Sequence, residues 1–409
     1  NGQLISLYSD AYKLTQNPLY KEIIEKSLDF ANKEWKTKEG GFYSALDADS
    51  LNDTEHLEEG AFYVWKIDQL KGLLKEDFEL FSQVFNINSF GLWEEENFVL
   101  IQNQSLETIA ILNHLSLTEL ATKKKNWEQL LYTEREKRAK PRLDDKCLTS
   151  WNAIMLKGYV DAYKALANED YLSIALENAN FIIKKMWSSE GNLFHSYKNG
   201  KSSINGYLED YCFVIAAFIG LYEVTFEEKW LHNAKQLTDY ALEHFYDEKQ
   251  SFFRFTSYKD EVLISVHYET EDNVIPASNS VMAKNLNQLS IYFNNPYYEK
   301  VAQKMLSILI STIDYPSAYS NWLDLALTIS GHNKELAICS PNAKEANKIL
   351  TSLYFPNVII AGTEKPSSLP LLKDRFVEGK DLYYVCQNKS CHLPSATIQE
   401  VISQLSLKA

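Results

Sequence analysis

Basic charge is scarce in this chain. Against 55 Asp and Glu its 409 residues carry 41 Lys and Arg, for a formal net charge of −14. That excludes a concentrated phosphate-neutralising surface, and no nucleic-acid partner is expected. The short clusters Lys123-Lys124-Lys125 and Arg135-Glu136-Lys137-Arg138 read as solvated helix faces. Long apolar runs are also missing. The longest, 213–222, falls far short of the roughly 18 residues that a bilayer span needs, so no membrane partner is expected. Five cysteines are too few for a disulfide framework. Cys147, Cys212 and Cys339 read as buried thiols. Cys386 and Cys391 could form a redox pair or half a metal site, but two reduced thiols is the simplest reading. Two Cys alone cannot close a tetrahedral zinc site, and no second pair follows. A nucleophile elbow for Ser-His-Asp chemistry is absent. No signal peptide or initiator Met opens the sequence, so a cytoplasmic protein with a native start further upstream is expected. No metal and no cofactor is expected.

Apolar and aromatic residues are plentiful. The hydrophobic share of 45% with 23% charged residues fits a globular chain rather than a disordered one. The 25 Tyr, 20 Phe and 8 Trp suit bulky packing between helices. They also suit an aromatic groove on which sugars and other flat ligands stack. Helices that are apolar all round alternate with helices that are apolar on one face. Segment 151–166 is of the first kind and 171–187 of the second. The pair recurs as 208–224 with 229–246, 279–293 with 297–313, and 319–329 with 343–354. Residues 4–15 and 19–35 form another pair, broken at Asn17-Pro18. A helix apolar all round must be covered on every side, while a one-sided helix faces water. Alternation at a period of roughly 55–70 residues therefore predicts an inner and an outer ring of helices.

Between the pairs lie aromatic segments with short β character, at 40–44, 191–197 and 251–255. Each follows an outer helix, which places them at one rim. From residue 336 onward the pattern changes. The apolar runs 336–339, 358–361 and 382–386 read as strands, with the helix near Ala343 between the first two. The expected division is a toroid over 1–335 and a small α/β segment over 336–409.

The densest polar feature is the loop from Lys140 to Asn152, which carries Arg142, Asp144 and Asp145 into Trp151 and a buried helix. Charge at the start of such a helix is how a polar pocket is built on an apolar scaffold. Its bland alternative is an ion-paired loop with capping by Thr149 or Ser150. Asp47 and Asp49 suit metal coordination or acid/base work, or else an Asx turn. Glu209-Asp210-Tyr211 opens the second inner helix, where acids also sit for dipole reasons alone. Asn279, flanked by Ser278 and Ser280, follows the acidic loop of Glu269, Glu271 and Asp272. All four clusters precede an inner helix and so point toward the same end of the ring.

The string 40–50 with Asp47-Ala48-Asp49-Ser50, followed by Glu59-Gly60-Ala61-Phe62-Tyr63-Val64-Trp65, closely resembles the signature of the thioredoxin-fused six-hairpin family. That family includes the spermatogenesis-associated thioredoxin-like protein and bacterial relatives. Leu92-Trp93-Glu94, Leu208-Glu209-Asp210-Tyr211, Pro276-Ala277-Ser278-Asn279-Ser280 and Tyr384-Val385-Cys386 extend the resemblance over nearly the whole chain. It implies an all-α dominated fold: an (α/α)6 toroid of six-hairpin glycosidase type, with the small C-terminal α/β appendage. The family's thioredoxin-like domain lies upstream, and no Cys-x-x-Cys is present here. The ring is therefore expected to be incomplete at its N-terminal side. The implied function is to act on or bind a carbohydrate in the toroid cavity through paired carboxylates, in the manner of a glycoside hydrolase or an N-acylglucosamine 2-epimerase. Asp145 is the expected acid, with Asp49 or Asp210 as its partner. Asp47, Arg142, Asp144, Trp151, Asn152, Glu209, Tyr211 and Asn279 are expected to bind substrate. An epimerase would want histidine bases, and only His195 and His267 lie near rim segments, where both read as ordinary polar contacts. The competing expectation is a non-catalytic scaffold that presents a ligand or client to the thioredoxin-like domain.

Overall fold

The computed structural model describes residues 1–94, 96–261, 264–387 and 390–406. These form two compact units, one of residues 1–44 with 145–409 and the other of residues 45–144.

The first unit begins with the antiparallel pair α1 (Gly2–Thr15) and α2 (Pro18–Phe30). Asn17 caps α2 by accepting from the Leu19 amide, and Pro18 takes the first helical position, where no amide hydrogen is needed. The chain then leaves for the second unit. There it forms α3 (Ile67–Leu74), α4 (Phe78–Val84), α5 (Leu106–Leu112) and α6 (Leu117–Arg135) with three two-stranded antiparallel pairs. Trp65, Leu70, Phe81, Leu120 and Trp127 are among its core residues. Arg135 and Arg138, expected on a solvated face, are instead partly buried here. The Arg138 guanidinium lies 4.0 Å over the Trp65 ring and donates to the carbonyls of Ala61, Phe62 and Val64. A guanidinium combines a flat face with five donors, so it can cover an indole and satisfy loop carbonyls together.

The first unit resumes with α7 (Thr149–Leu166) and α8 (Glu169–Phe181), then α9 (Leu208–Thr225) and α10 (Lys229–His244), then α11 (Ser278–Tyr292) and α12 (Pro296–Leu309), and α13 (Ser320–Leu327). Each odd-numbered helix of this series packs against the next: α7 on α9, α9 on α11 and α11 on α13, with α1 against α7. Helix α9 is buried along nearly its whole length, whereas α10 buries only one stripe through Trp230, Leu231, Ala234, Leu237 and Ala241. The two-layer expectation holds, and the physical reason is the one read from hydropathy. Among the described residues, α1, α7, α9, α11 and α13 all line one central cavity of about 490 Å³, reached by Gln3, Lys157, Phe213, Lys284 and Asn321. This is an α/α toroid with its core between the helical layers. The α1–α7 crossing is close because both faces are glycine: a Cβ on Gly158 would lie 2.9 Å from the Gly2 carbonyl oxygen.

At the C-terminal end, strands are ordered Val358–Thr363, Lys334–Cys339, Leu382–Gln387, Ser390–Cys391, the first two parallel and the rest antiparallel. Helix α14 (Ala343–Thr351) connects the parallel pair, and α15 (Ile398–Leu405) follows the last strand. Leu336, Ile338, Leu350, Val385, Val401 and Leu405 form their shared core. Cys386 and Cys391, expected as two reduced thiols, are joined by a disulfide. The antiparallel register sets the two directly opposite each other, which brings the sulfurs together. Asn388 and Lys389 of that segment lie outside the described residues.

Candidate functional site

The N-terminal ends of three inner helices repeat one device. Asn152 in α7 accepts from the Phe42 amide at 2.7 Å and donates to the Phe42 carbonyl at 3.0 Å. Asn279 in α11 does the same to Phe253, at 2.8 Å in both directions. In α9 the hydroxyl of Tyr211 accepts from the Leu193 amide at 2.9 Å. Each inner helix thus holds the rim segment that follows an outer helix. Gly40 and Gly191 make the matching turns possible, at φ of 91° and 94°, a left-handed region that side chains resist. Asn152, Asn279 and Tyr211 are buried and engaged in these bonds.

Between the second and third rim segments the device carries more than structure. Asp210, fully buried near the start of α9, accepts from the Tyr207 amide through Oδ2 and from the Ser150 amide through Oδ1, both at 2.9 Å. It therefore satisfies unpaired amides at the beginnings of α9 and of α7. His195, on strand Phe194–Lys198, places Nδ1 3.0 Å from the same Oδ2. Two of the three groups on Asp210 are amides that can only donate, so it acts as the acceptor and His195 Nδ1–H as the third donor. That tautomer leaves Nε2 without a proton. Next to Asp210, Glu209 Oε1 accepts from the Ser150 hydroxyl at 3.1 Å. One ligand-type atom each from His195, Glu209 and Asp210 can be chosen so that all lie within 4.8 Å of one another.

Burial, and then the charge of Asp210, lift the Glu209 carboxyl from its ordinary 4.5 to about 7. Burial also raises Asp210, against the opposing pull of His195 and the two amides. For His195 burial is the largest influence and disfavours charge. The bond to Asp210 and the charges of Asp210 and Glu209 outweigh it, so the imidazole is raised above its ordinary value. The cluster thus holds a carboxyl that exchanges its proton near pH 7 and an imidazole raised above its ordinary value, with a third group that orients the imidazole. As a cation cage it is poor, because Asp210 spends both oxygens on three donors. Beside it the Tyr207 ring lies 4.8 Å from the His195 ring and stacks on Phe255 at 5.0 Å and 18°.

Asp145 is partly exposed and ion-paired with Lys198, whose hydrogen bond holds its carboxyl below the usual range. Trp151 is 45% exposed. Asp47, Asp49, Arg142 and Asp144 belong to the other compact unit. There Asp47 accepts from the Asp49 amide at 3.3 Å and lies 3.4 Å from the exposed Arg142 guanidinium, while Asp144 pairs its backbone with Ala45. Sequence reasoning read His195 as an ordinary polar contact and Ser150 as a possible helix cap. A signal for His195 existed: aligned on the clamped residues Phe42, Leu193 and Phe253, the position two further on is Ser44, His195 and Phe255. Of the three only the second is titratable.

No protein-family model matches the chain. It is 27% identical over 435 residues to spermatogenesis-associated protein 20 of Homo sapiens, covering 96% of this chain and 55% of that one. The Mus musculus protein of the same name is 28% identical over 439 residues with the same coverage. The chain is similar to these two proteins over nearly its whole length. It spans about half the length of these curated relatives. Among solved structures, a glycoside hydrolase from family 105 of C. acetobutylicum is 11% identical with a TM-score of 0.37, covering 76% of each chain. A sugar epimerase from a ruminal bacterium is 13% identical with a TM-score of 0.35, over 72% of this chain and 68% of that one. Among the described residues no helix is long and apolar enough to cross a membrane.

Proposed function

We propose that the toroid acts on a carbohydrate by proton transfer, with Glu209 and His195 as the exchanging groups and Asp210 as the residue that orients His195. The observation that carries this reading is the cluster itself: a carboxyl lifted to about 7 beside an imidazole fixed by a buried aspartate. Two carboxylates spanning a glycosidic bond would stand roughly 5–10 Å apart with their oxygens free. Here Asp210 is committed to three donors, and Asp145 is tied to Lys198 in solvent. The arrangement suits proton removal and return at the carbon beside a sugar carbonyl, as in an epimerisation or isomerisation. His195 Nε2 takes the proton, and the protonated fraction of Glu209 supplies one. The Tyr207–Phe255 stack offers the apolar face on which a sugar ring packs.

The test is solvent exchange. A panel of aldoses, ketoses and reducing disaccharides in deuterated buffer near pH 7.5 is followed by proton NMR at the carbon beside the carbonyl. Expected is deuterium incorporation for one sugar class, lowered by about 10²–10⁴-fold in Glu209→Gln and in His195→Gln. If no sugar exchanges and none shifts the melting temperature, proton transfer on carbohydrates is refuted. A non-catalytic scaffold working with a thioredoxin-like domain would then lead. One observation favours that second reading: the capping bonds to Asp210 serve α7 and α9 whether or not any substrate binds.

A further inference from the structure

The cross-link between Cys386 and Cys391 has chemistry of its own. Its two sulfurs sit in different surroundings: Cys386 is buried and Cys391 is exposed. One guanidinium reaches both. Arg375 Nη1 donates to Cys386 Sγ at 3.5 Å, and Nη2 donates to Cys391 Sγ at 3.3 Å. Arg375 is held there by the Tyr384 ring, 5.0 Å from the guanidinium carbon, and by the Tyr384 hydroxyl, which donates to its carbonyl. Arg375 and Cys391 also line a cavity of about 740 Å³, with Glu299, Asn333 and Glu335 among its other walls. A reagent in that space has the exposed sulfur within reach.

A cation adds little to a neutral disulfide, but it stabilises a thiolate strongly. Donors on both sulfurs also argue against a metal ion between them. We propose that Cys386–Cys391 is a thiol–disulfide exchange site, opened by a dithiol that attacks Cys391. The incoming thiolate bonds to Cys391 Sγ as the bond to Cys386 breaks, and the electron pair leaves on Cys386 Sγ beside Arg375. The second thiol of the reagent, deprotonated, attacks its neighbour's sulfur in the mixed disulfide and releases Cys391. Two electrons pass to the protein, the reagent ends as a disulfide, and its two protons go to solvent or to the new thiolates. Among the remaining cysteines, burial pushes Cys147 up to about 12, Cys339 up to about 11 and Cys212 well above its ordinary value, so they stay out of this chemistry.

The chain, purified without reductant, is treated with dithiothreitol at pH 7, quenched by alkylation and mapped by mass spectrometry. Expected are two new thiols, at Cys386 and Cys391 alone, and reduction about tenfold slower in Arg375→Gln, with most of the rate restored in Arg375→Lys. In the reduced wild-type protein, alkylation of Cys391 should show a midpoint below the ordinary value of about 8.5. That measurement stands even if the Gln variant does not fold. Alkylation of both cysteines before any reductant is added would overturn the proposal. So would equal reduction rates in wild type and a folded Arg375→Gln protein, or a Cys391 midpoint at or above the ordinary value.

Discussion

Replacing Glu209 by Gln keeps the shape of the side chain and removes its charge, and the consequence depends on pH. The native carboxyl titrates at about 7 against an ordinary 4.5. The native state therefore holds its proton to higher pH than the unfolded chain does. Stability linked to that proton is fully present below about pH 4.5 and is lost as pH rises through about 7. At about 1.4 kcal/mol per pH unit, the change between pH 5 and pH 8.5 comes to about 2.5 kcal/mol. The carboxamide of the Glu209→Gln variant has no proton to lose. The stability of the variant relative to wild type should accordingly rise by about 2.5 kcal/mol over that interval. Urea unfolding of both proteins at four or five pH values measures the difference directly. A difference constant within about 0.5 kcal/mol from pH 5 to 8.5 would refute the raised carboxyl. Acid/base catalysis by Glu209 near neutrality would fall with it.

His195→Gln tests the neighbouring group in the same way. The imidazole is raised by Asp210, so its contribution is fully present below about pH 6.5 and fades above it; the wild-type advantage over this variant should shrink as pH rises to 8.5. Asn152→Ala leaves the buried Phe42 amide and carbonyl without this partner and also removes an acceptor from Asn178, which should cost about 3–5 kcal/mol in chemical denaturation. Asn279→Ala should cost a similar amount through Phe253. Gly158→Ala forces α1 away from α7 at the Gly2 carbonyl, with an expected loss of about 1–3 kcal/mol and a lower melting temperature.

Much of the toroid was legible in the chain because burial leaves a local record. A helix covered on all sides, such as α9, can be apolar all round, and a helix against water, such as α10, cannot. Asn17-Pro18 and Asn295-Pro296 mark helix starts by side-chain capping and a missing amide hydrogen, both properties of adjacent residues. The three long C-terminal strands were legible for the same reason, as short apolar runs bounded by turn residues. The candidate site was legible only in part. Glu209 and Asp210 stood out as acids at a helix start, but their environment was not visible.

The sequence by itself determined the alternation of covered and half-covered helices, their caps, and the rim segments that recur between them. Hydropathy period and capping act over a few residues, so each segment carries them wherever it folds. Only the tertiary structure decided that His195 meets Asp210 across 15 residues, that Asp210 reaches back 60 residues to the Ser150 amide, and that Arg375 comes to rest on a disulfide. A carboxyl near pH 7 and a cation beside two sulfurs depend on the distance and polarity of groups remote in the chain. Those are set by helix packing and strand register, and no local pattern encodes them.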